Sequence, residues 1–311
     1  MDGGATTQLQ SSQLAREISK GNRRALSKGI TLVENDRERA PTLLRLLRPP
    51  GRAFIVGVTG PPGTGKSTLV DRLIEIYRKT GHRVGVIAVD PTSPITGGAL
   101  LGDRIRMASH TADRGVYIRS MASRGWSGGL SRATSQVIQL MDAAGFDIIL
   151  LETVGIGQSD IEVVSVSHVV LVVLMPGLGD DVQVSKAGLM EIGDVYVVNK
   201  ADMEGADSMV VSLLGVVRGM KPRSPPVIKV SALSGEGLEK LQVAIEAVRE
   251  RFESGDLELR LRSIRGMIVE TAKWTLMERL GQASQGKVEG LARQVAGGKL
   301  AIDDAAIRLV R

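Results

Sequence analysis

The chain has 311 residues, enough for one large domain with extensions or for two domains, and its hydrophobic share of 43% is ordinary for a packed core. It contains no cysteine, which excludes disulfides and thiolate metal sites and makes a reducing cytoplasm the expected compartment; its three histidines, His82, His110 and His168, lack ligand spacing. The formal charge of +6 comes from 40 basic residues scattered among 34 acidic ones, which argues against nucleic acid, and the absence of any apolar run near the roughly 20 residues of a membrane helix argues against a membrane protein.

In chain order, residues 11–47 carry helical spacing (Leu14 and Ile18; Leu26, Ile30 and Val33; Leu43, Leu44 and Leu47), and "LLRPPG" at 46–51 ends it, because consecutive prolines cannot continue a helix. From 53 to about 250, β-branched runs ("AFIVGVTG", "RVGVIAVD", "GVYIRS", "FDIILLET", "HVVLVVLMP", "DVYVVNKAD", "PPVIKVSAL") alternate with longer amphipathic segments. Nearly continuous apolar strands separated by helices predict an α/β fold with a mainly parallel sheet covered on both faces. After 256 a stripe of Leu257, Leu261, Ile264, Ile268, Ala272, Leu276 and Leu280 predicts one long amphipathic helix, followed by shorter helices near 286–296 and 299–310. The expected organisation is a helical extension over 1–50, a nucleotide-binding domain over 51–252 and a helical region over 253–311.

"GPPGTGKST" at 60–68 fits the phosphate-loop pattern, with a strand before it and a helix after it. The loop comprises Gly60, Pro61, Pro62, Gly63, Thr64, Gly65, Lys66, Ser67 and Thr68, and its successive backbone N–H groups and the helix start are expected to face phosphates. Lys66 is expected to reach the β- and γ-phosphates and the Ser67 hydroxyl to ligate Mg²⁺. "NKAD" at 199–202 ends a later strand, and Asp202 suits guanine, which offers N1–H and N2–H₂ together where adenine presents an acceptor and a C–H. GTP or GDP is therefore the expected ligand, discriminated by hydrogen bonds that ATP leaves unmade. Asn199 is expected to steady the loops, Lys200 to lie along the base, and the Ser231, Ala232 and Leu233 backbone to reach guanine O6. Asp90, Asp103 and Glu152 lie at or just past strand ends and are the candidate Mg²⁺ and catalytic carboxylates, acting directly or through ordered water. In "LLETVGIGQSD", Glu152 stands where an Asp is usual, and Ile156 follows the glycine where Ras-like switches place a water-orienting Gln, so slow hydrolysis is expected.

These motifs, with "GNRRALSKGITLVEN", "VDPTSPITGGALLGDRIRM", "AAGFDIILLETVGIGQSD", "GDDVQVSKAGLMEIGDVYVVNKAD" and "GKLAIDDAAIRLV", resemble the MeaB/ArgK family of methylmalonyl-CoA-mutase-associated GTPases, of the SIMIBI class, over almost the whole chain. The resemblance implies a homodimer built with the C-terminal helices, modest intrinsic GTPase activity, and a partner, an adenosylcobalamin-dependent acyl-CoA mutase, whose cofactor loading and protection the GTPase gates. It makes Glu152 a family trait. It also implies a partner-sensing segment at 177–188, with Asp180, Gln183 and Lys186 the positions carried over and Lys186 the catalytic candidate. Asp160, His168 and "RGWSGGLS" at 124–131 depart from the family pattern near these elements. A metal-insertion GTPase and an arginine-type small-molecule kinase are the alternatives.

Overall fold

The helical preface is set by its apolar spacing and its caps. In the computed structural model of the chain it forms α1 (Asp2–Ser19), α2 (Arg23–Asn35) and α3 (Ala40–Leu47). The structure describes all residues except 1, 37, 48–50, 91–107, 111, 123–132, 154–162, 164, 178–188, 220–223, 283, 284 and 311. Asn22 starts α2, its side-chain oxygen accepting from the N–H groups of Arg24 (3.0 Å) and Ala25 (3.2 Å). Leu26, Ile30, Val33, Leu43 and Leu47 are buried.

The apolar runs become seven strands: β1 (Phe54–Thr59), β2 (Val84–Asp90), β3 (Val116–Ala122), β4 (Ile148–Thr153), β5 (Val169–Leu174), β6 (Val195–Val198) and β7 (Val227–Lys229). They form one sheet in the order β3-β2-β4-β1-β5-β6-β7, and each neighbouring pair is parallel. Parallel strands need helical crossovers, and both faces are consequently covered; β1, β4, β5 and β6 are buried at every position. The crossovers include α4 (Lys66–Lys79), α5 (Ala133–Ala143), α6 (Leu189–Ile192) and α7 (Ala206–Val217), and α8 (Leu238–Glu253) follows β7. On one face, Leu69, Leu73 and Tyr77 of α4 and Leu241, Ile245 and Phe252 of α8 share a core with Phe54, Val56 and Val58. On the other, Leu213 and Val217 of α7 pack with Val172, Leu174, Tyr196 and Val198. The expected α/β architecture, with helices on both faces, is the observed one.

Two buried polar groups fix how the chain enters this sheet. Asp142, near the end of α5, accepts from the N–H groups of Gly51 (2.6 Å), Arg52 (3.0 Å) and Ala53 (2.9 Å), so one carboxylate satisfies the segment that leads into β1 after the proline pair. His168, whose place in the sequence departs from the family pattern beside the switch elements, is a core residue. It stacks on Phe54 at 5.6 Å and touches Phe252, with ring centroids 4.2 Å apart. Its Nδ1 accepts from Ile55 N–H (2.9 Å), which puts the proton on Nε2, facing Ser263 Oγ at 2.9 Å. Burial, reinforced by the nearby Arg262 and Arg260 cations, pushes its pKa down to about 3.

The C-terminal stripe lies on α9 (Leu257–Gln282), followed by α10 (Gln285–Ala296) and α11 (Ile302–Val310). The start of α9 does not use that stripe to dock. Leu259, Ser263 and Gly266 are the buried positions, and a Cβ on Gly266 would stand 1.7 Å from the Ser165 carbonyl oxygen, so only glycine permits this approach. Arg262 adds an ion pair with Asp194 (2.9 Å), whereas Leu257 and Ile264 stay exposed. The chain divides into two compact units, Met1–Gly266 and Met267–Arg311. Among the described residues, no helix is long and apolar enough to cross a membrane.

Candidate functional site

Strand order places the chemistry. β1 lies between β4 and β5, so the loops leaving its carboxyl end meet those leaving its two neighbours, the position where open parallel sheets bind ligands. The loop after β1 turns at Gly60, whose φ of 137° suits glycine and where a Cβ would lie 2.0 Å from the Val173 carbonyl oxygen of β5. Thr64 Oγ1 closes the loop on the Pro61 carbonyl (2.9 Å), and α4 then starts from Gly65, which offers no side-chain cap. The first turn of α4 thus lies at the positive end of the helix dipole, with no side-chain cap from Gly65. Lys66 is buried and donates to the carbonyls of Gly60 (2.7 Å) and Pro61 (3.0 Å), which holds its ammonium inside the loop.

Glu152 is brought beside this loop by register: it sits opposite Val58 of β1 and Ala88 of β2 at the end of β4. It is buried, and its Oε1 accepts from Ser67 Oγ at 2.7 Å. This is an oxygen-only pair of the kind hard divalent cations take, so the donor set fits Mg²⁺. Asp90 ends β2, beside β4, while Asp103 and Lys186 lie outside the described residues, as do Ile156, Asp160, Asp180 and Gln183.

The second loop cluster is joined to the first by one amide. Asn199 is buried, its Nδ2 donates to the Thr64 carbonyl (2.8 Å), and its Oδ1 accepts from Ala232 N–H (3.0 Å). The side chain therefore ties the phosphate-type loop to the Ser231–Leu233 turn. Lys200 follows with φ 60°, the one non-glycine positive φ among the described residues, held between Asn199 N–H on the Leu174 carbonyl (2.8 Å) and Ala201 N–H on the Val230 carbonyl (2.9 Å). Such a conformation costs on the order of 1 kcal/mol and persists because its neighbours are pinned. Ser231 Oγ donates to Asp202 Oδ1 (3.0 Å), which orients that carboxylate.

One contributor has no signal in the sequence. Arg72, on α4, donates through Nε to the Ala232 carbonyl (2.9 Å) and through Nη2 to the Leu233 carbonyl (3.0 Å), with Nη1 on Glu75 (3.0 Å). Its first acceptor is a main-chain group 160 residues away, so no local pattern marks it.

Comparison with known proteins follows the same outline. A family model described as methylmalonyl Co-A mutase-associated GTPase MeaB matches residues 26–287. The chain is 52% identical over 254 residues to a protein of Pyrococcus abyssi named as a GTPase, covering 79% of this chain and 78% of the relative. It is 37% identical over 263 residues to the mitochondrial methylmalonic aciduria type A homolog of Mus musculus, covering 77% and 63%. The crystal structure of the LAO/AO transport system kinase superposes with a TM-score of 0.69 at 27% identity, covering 96% of both chains. HypB of Helicobacter pylori, solved with nickel, shares the fold at a TM-score of 0.50 and 18% identity over 72% of this chain and 96% of that one. The motifs that meet around β1 are thus those of a P-loop GTPase, and the chain belongs to the MeaB family of methylmalonyl Co-A mutase-associated GTPases.

Proposed function

We propose that this protein binds GTP with Mg²⁺ at the carboxyl end of β1, hydrolyses it slowly, and uses the cycle to gate cofactor loading and protection of an adenosylcobalamin-dependent acyl-CoA mutase in the cytoplasm. The observation that carries the nucleotide part is Asn199: by holding Thr64 and Ala232 with one side chain, it joins an anion cradle and a base turn into a single pocket. In that pocket the loop 60–68 binds the phosphates and Lys66 stabilises the charge on the β- and γ-oxygens. Asp202, already oriented by Ser231, accepts guanine N1–H and N2–H₂, and Lys200 lies along the base. Glu152 takes the Ser67 proton in a hydrogen bond, which leaves the serine lone pairs for the cation. When bound, Mg²⁺ neutralises the charge that develops on the transferring phosphoryl group.

The mutase part is supported by the family description and by the mouse relative. Ile156 orients no water, so the isolated protein turns over slowly, and a mutase that repositions 177–188 supplies Lys186 or another donor to the phosphoryl group. Release of phosphate from GTP, measured with and without a B12-dependent mutase, tests this. Stimulation that Lys186→Ala abolishes while GTP affinity stays within about twofold is the expected result; equal rates with complex formation verified would refute the gating. The arginine-type kinase is the competing reading, kept open by the word kinase in the name of the protein in the similar crystal structure, and labelled phosphate found on arginine instead of water would replace the proposal.

A further inference from the structure

His110 stands in a short 3₁₀ turn (Ala108–His110) at the far end of the 91–107 segment, and on α4 it meets Asp71 and Glu75. The two carboxylates are four residues apart, so they share one face of that helix. One ligand atom from each of the three residues falls within 4.8 Å of the others. Neither the sequence spacing of the histidines nor the nucleotide site accounts for this grouping.

The pair at its centre is unusual for a hydrogen bond. His110 Nε2 and Asp71 Oδ1 are 2.9 Å apart, and the two side chains are 12% and 25% exposed. Both atoms are closed to solvent, and neither makes a hydrogen bond among the described residues although they are 2.9 Å apart. Two neighbouring ligands of one ion, each roughly 2.0–2.1 Å from it at 90–109°, stand about 2.9–3.3 Å apart. The observed 2.9 Å falls at the short end of that range.

We propose that Asp71, Glu75 and His110 form a binding site for a first-row divalent transition metal, with zinc the reference ion. An imidazole nitrogen with two carboxylates suits zinc, nickel or cobalt, whereas Mg²⁺ and Ca²⁺ favour oxygen-only sets. Three protein ligands leave positions for water. Glu75 has to turn inward to complete the site, and its present ion pair with Arg72 (3.0 Å) competes with the metal, so the affinity is expected in the micromolar range and not the far tighter range of closed structural zinc sites. Loading the metal draws on Glu75 and not on Lys66 or Ser67, and although Glu75 also pairs with Arg72 beside the Ser231–Leu233 turn, metal binding is tested without nucleotide.

The experiment is zinc titration of the tag-free full chain against a chromophoric zinc indicator, with Co²⁺ absorbance as a second readout. The absence of cysteine removes thiolate competition. One equivalent of Zn²⁺ is expected, with visible Co²⁺ bands of a nitrogen and oxygen set. His110→Ala and Asp71→Asn should each weaken zinc at least about tenfold, in proportion to a lost ligand, while His82→Ala leaves it unchanged. Circular dichroism of each variant checks folding, and Glu75→Gln replaces any variant that fails it. Less than about a tenth of an equivalent bound at roughly 100 μM Zn²⁺, a range far above the expected affinity, would overturn the proposal. Zinc binding that survives both His110→Ala and Asp71→Asn in folded protein would overturn it equally, by locating the metal elsewhere.

Discussion

At the scale of single residues, the density of polar partners distinguishes side chains that hold the site from those that fill the core. Asn199 satisfies a buried acceptor and a buried donor at once. Truncation to alanine leaves the Thr64 carbonyl and the Ala232 N–H without it, which costs about 1–3 kcal/mol of stability and should weaken GTP binding more than tenfold as the two loops lose their common strut. Fluorescent-GTP titration and urea unfolding of Asn199→Ala measure both. Asp202→Asn, by contrast, should keep stability and lower the preference for GTP over ATP, because an amide turns half of a two-acceptor group into a donor; an unchanged ratio of the two affinities would remove guanine recognition from Asp202. His168 works in the opposite way, as a neutral ring in an aromatic stack. Its folded pKa of about 3 lies below the usual value near 6.5, so its contribution is complete above pH 6.5. Below that the unfolded chain takes up a proton that the folded chain refuses, and stability falls towards pH 3 with a slope approaching about 1.4 kcal/mol per pH unit. Urea midpoints at pH 7.5, 6.5 and 5.5 should show the fall, and His168→Phe should flatten it.

At the scale of elements, periodicity located the strands well, since burial on both faces leaves an unbroken apolar run that little else produces. Helix faces were less legible. The residues 257–280 have a clear apolar stripe, yet the start of α9 docks by Leu259, Ser263 and Gly266, a face defined by a close backbone approach and a histidine partner that spacing cannot reveal. The link into β1 was hidden for a similar reason: Asp142 reads as an ordinary helical acid, and only the fold brings it under three N–H groups. Replacing it with alanine should cost about 2 kcal/mol, set mainly by the buried Ala53 N–H, with the fold retained. A denaturation midpoint within experimental error of the wild type would show that water replaces the carboxylate there.

At the scale of the whole molecule, the exposed residues of α9 carry the expectation of a homodimer. Leu257 and Ile264 are exposed in the first compact unit, and Ile268 is exposed in the second. Large exposed apolar side chains in one row mark association surfaces more often than chance placement does. Ile264→Glu combined with Ile268→Glu should convert a dimer to a monomer by light scattering, with GTP binding retained. A wild type already monomeric at tens of micromolar, where stable oligomers of this kind remain associated, would place the stripe's role elsewhere.

The sequence by itself determined the α/β class and put the glycine-rich loop 60–68 and "NKAD" at the ends of strands, because each depends on local rules: apolar runs of strand length, glycines at a tight turn, and a few polar residues where a strand stops. Tertiary structure alone decided which distant groups meet. Parallel register set Glu152 on Ser67, the crossing of two loops gave Asn199 its two partners, and Arg72 found its carbonyls 160 and 161 residues away. It also placed His168, a departure from the family pattern, in the core and gathered His110 with two carboxylates of α4. The physical reason is that backbone propensity and hydrophobic period act over a few residues, whereas a hydrogen-bond partner or a metal ligand is chosen by proximity in space, which exists only once the sheet order has been assembled.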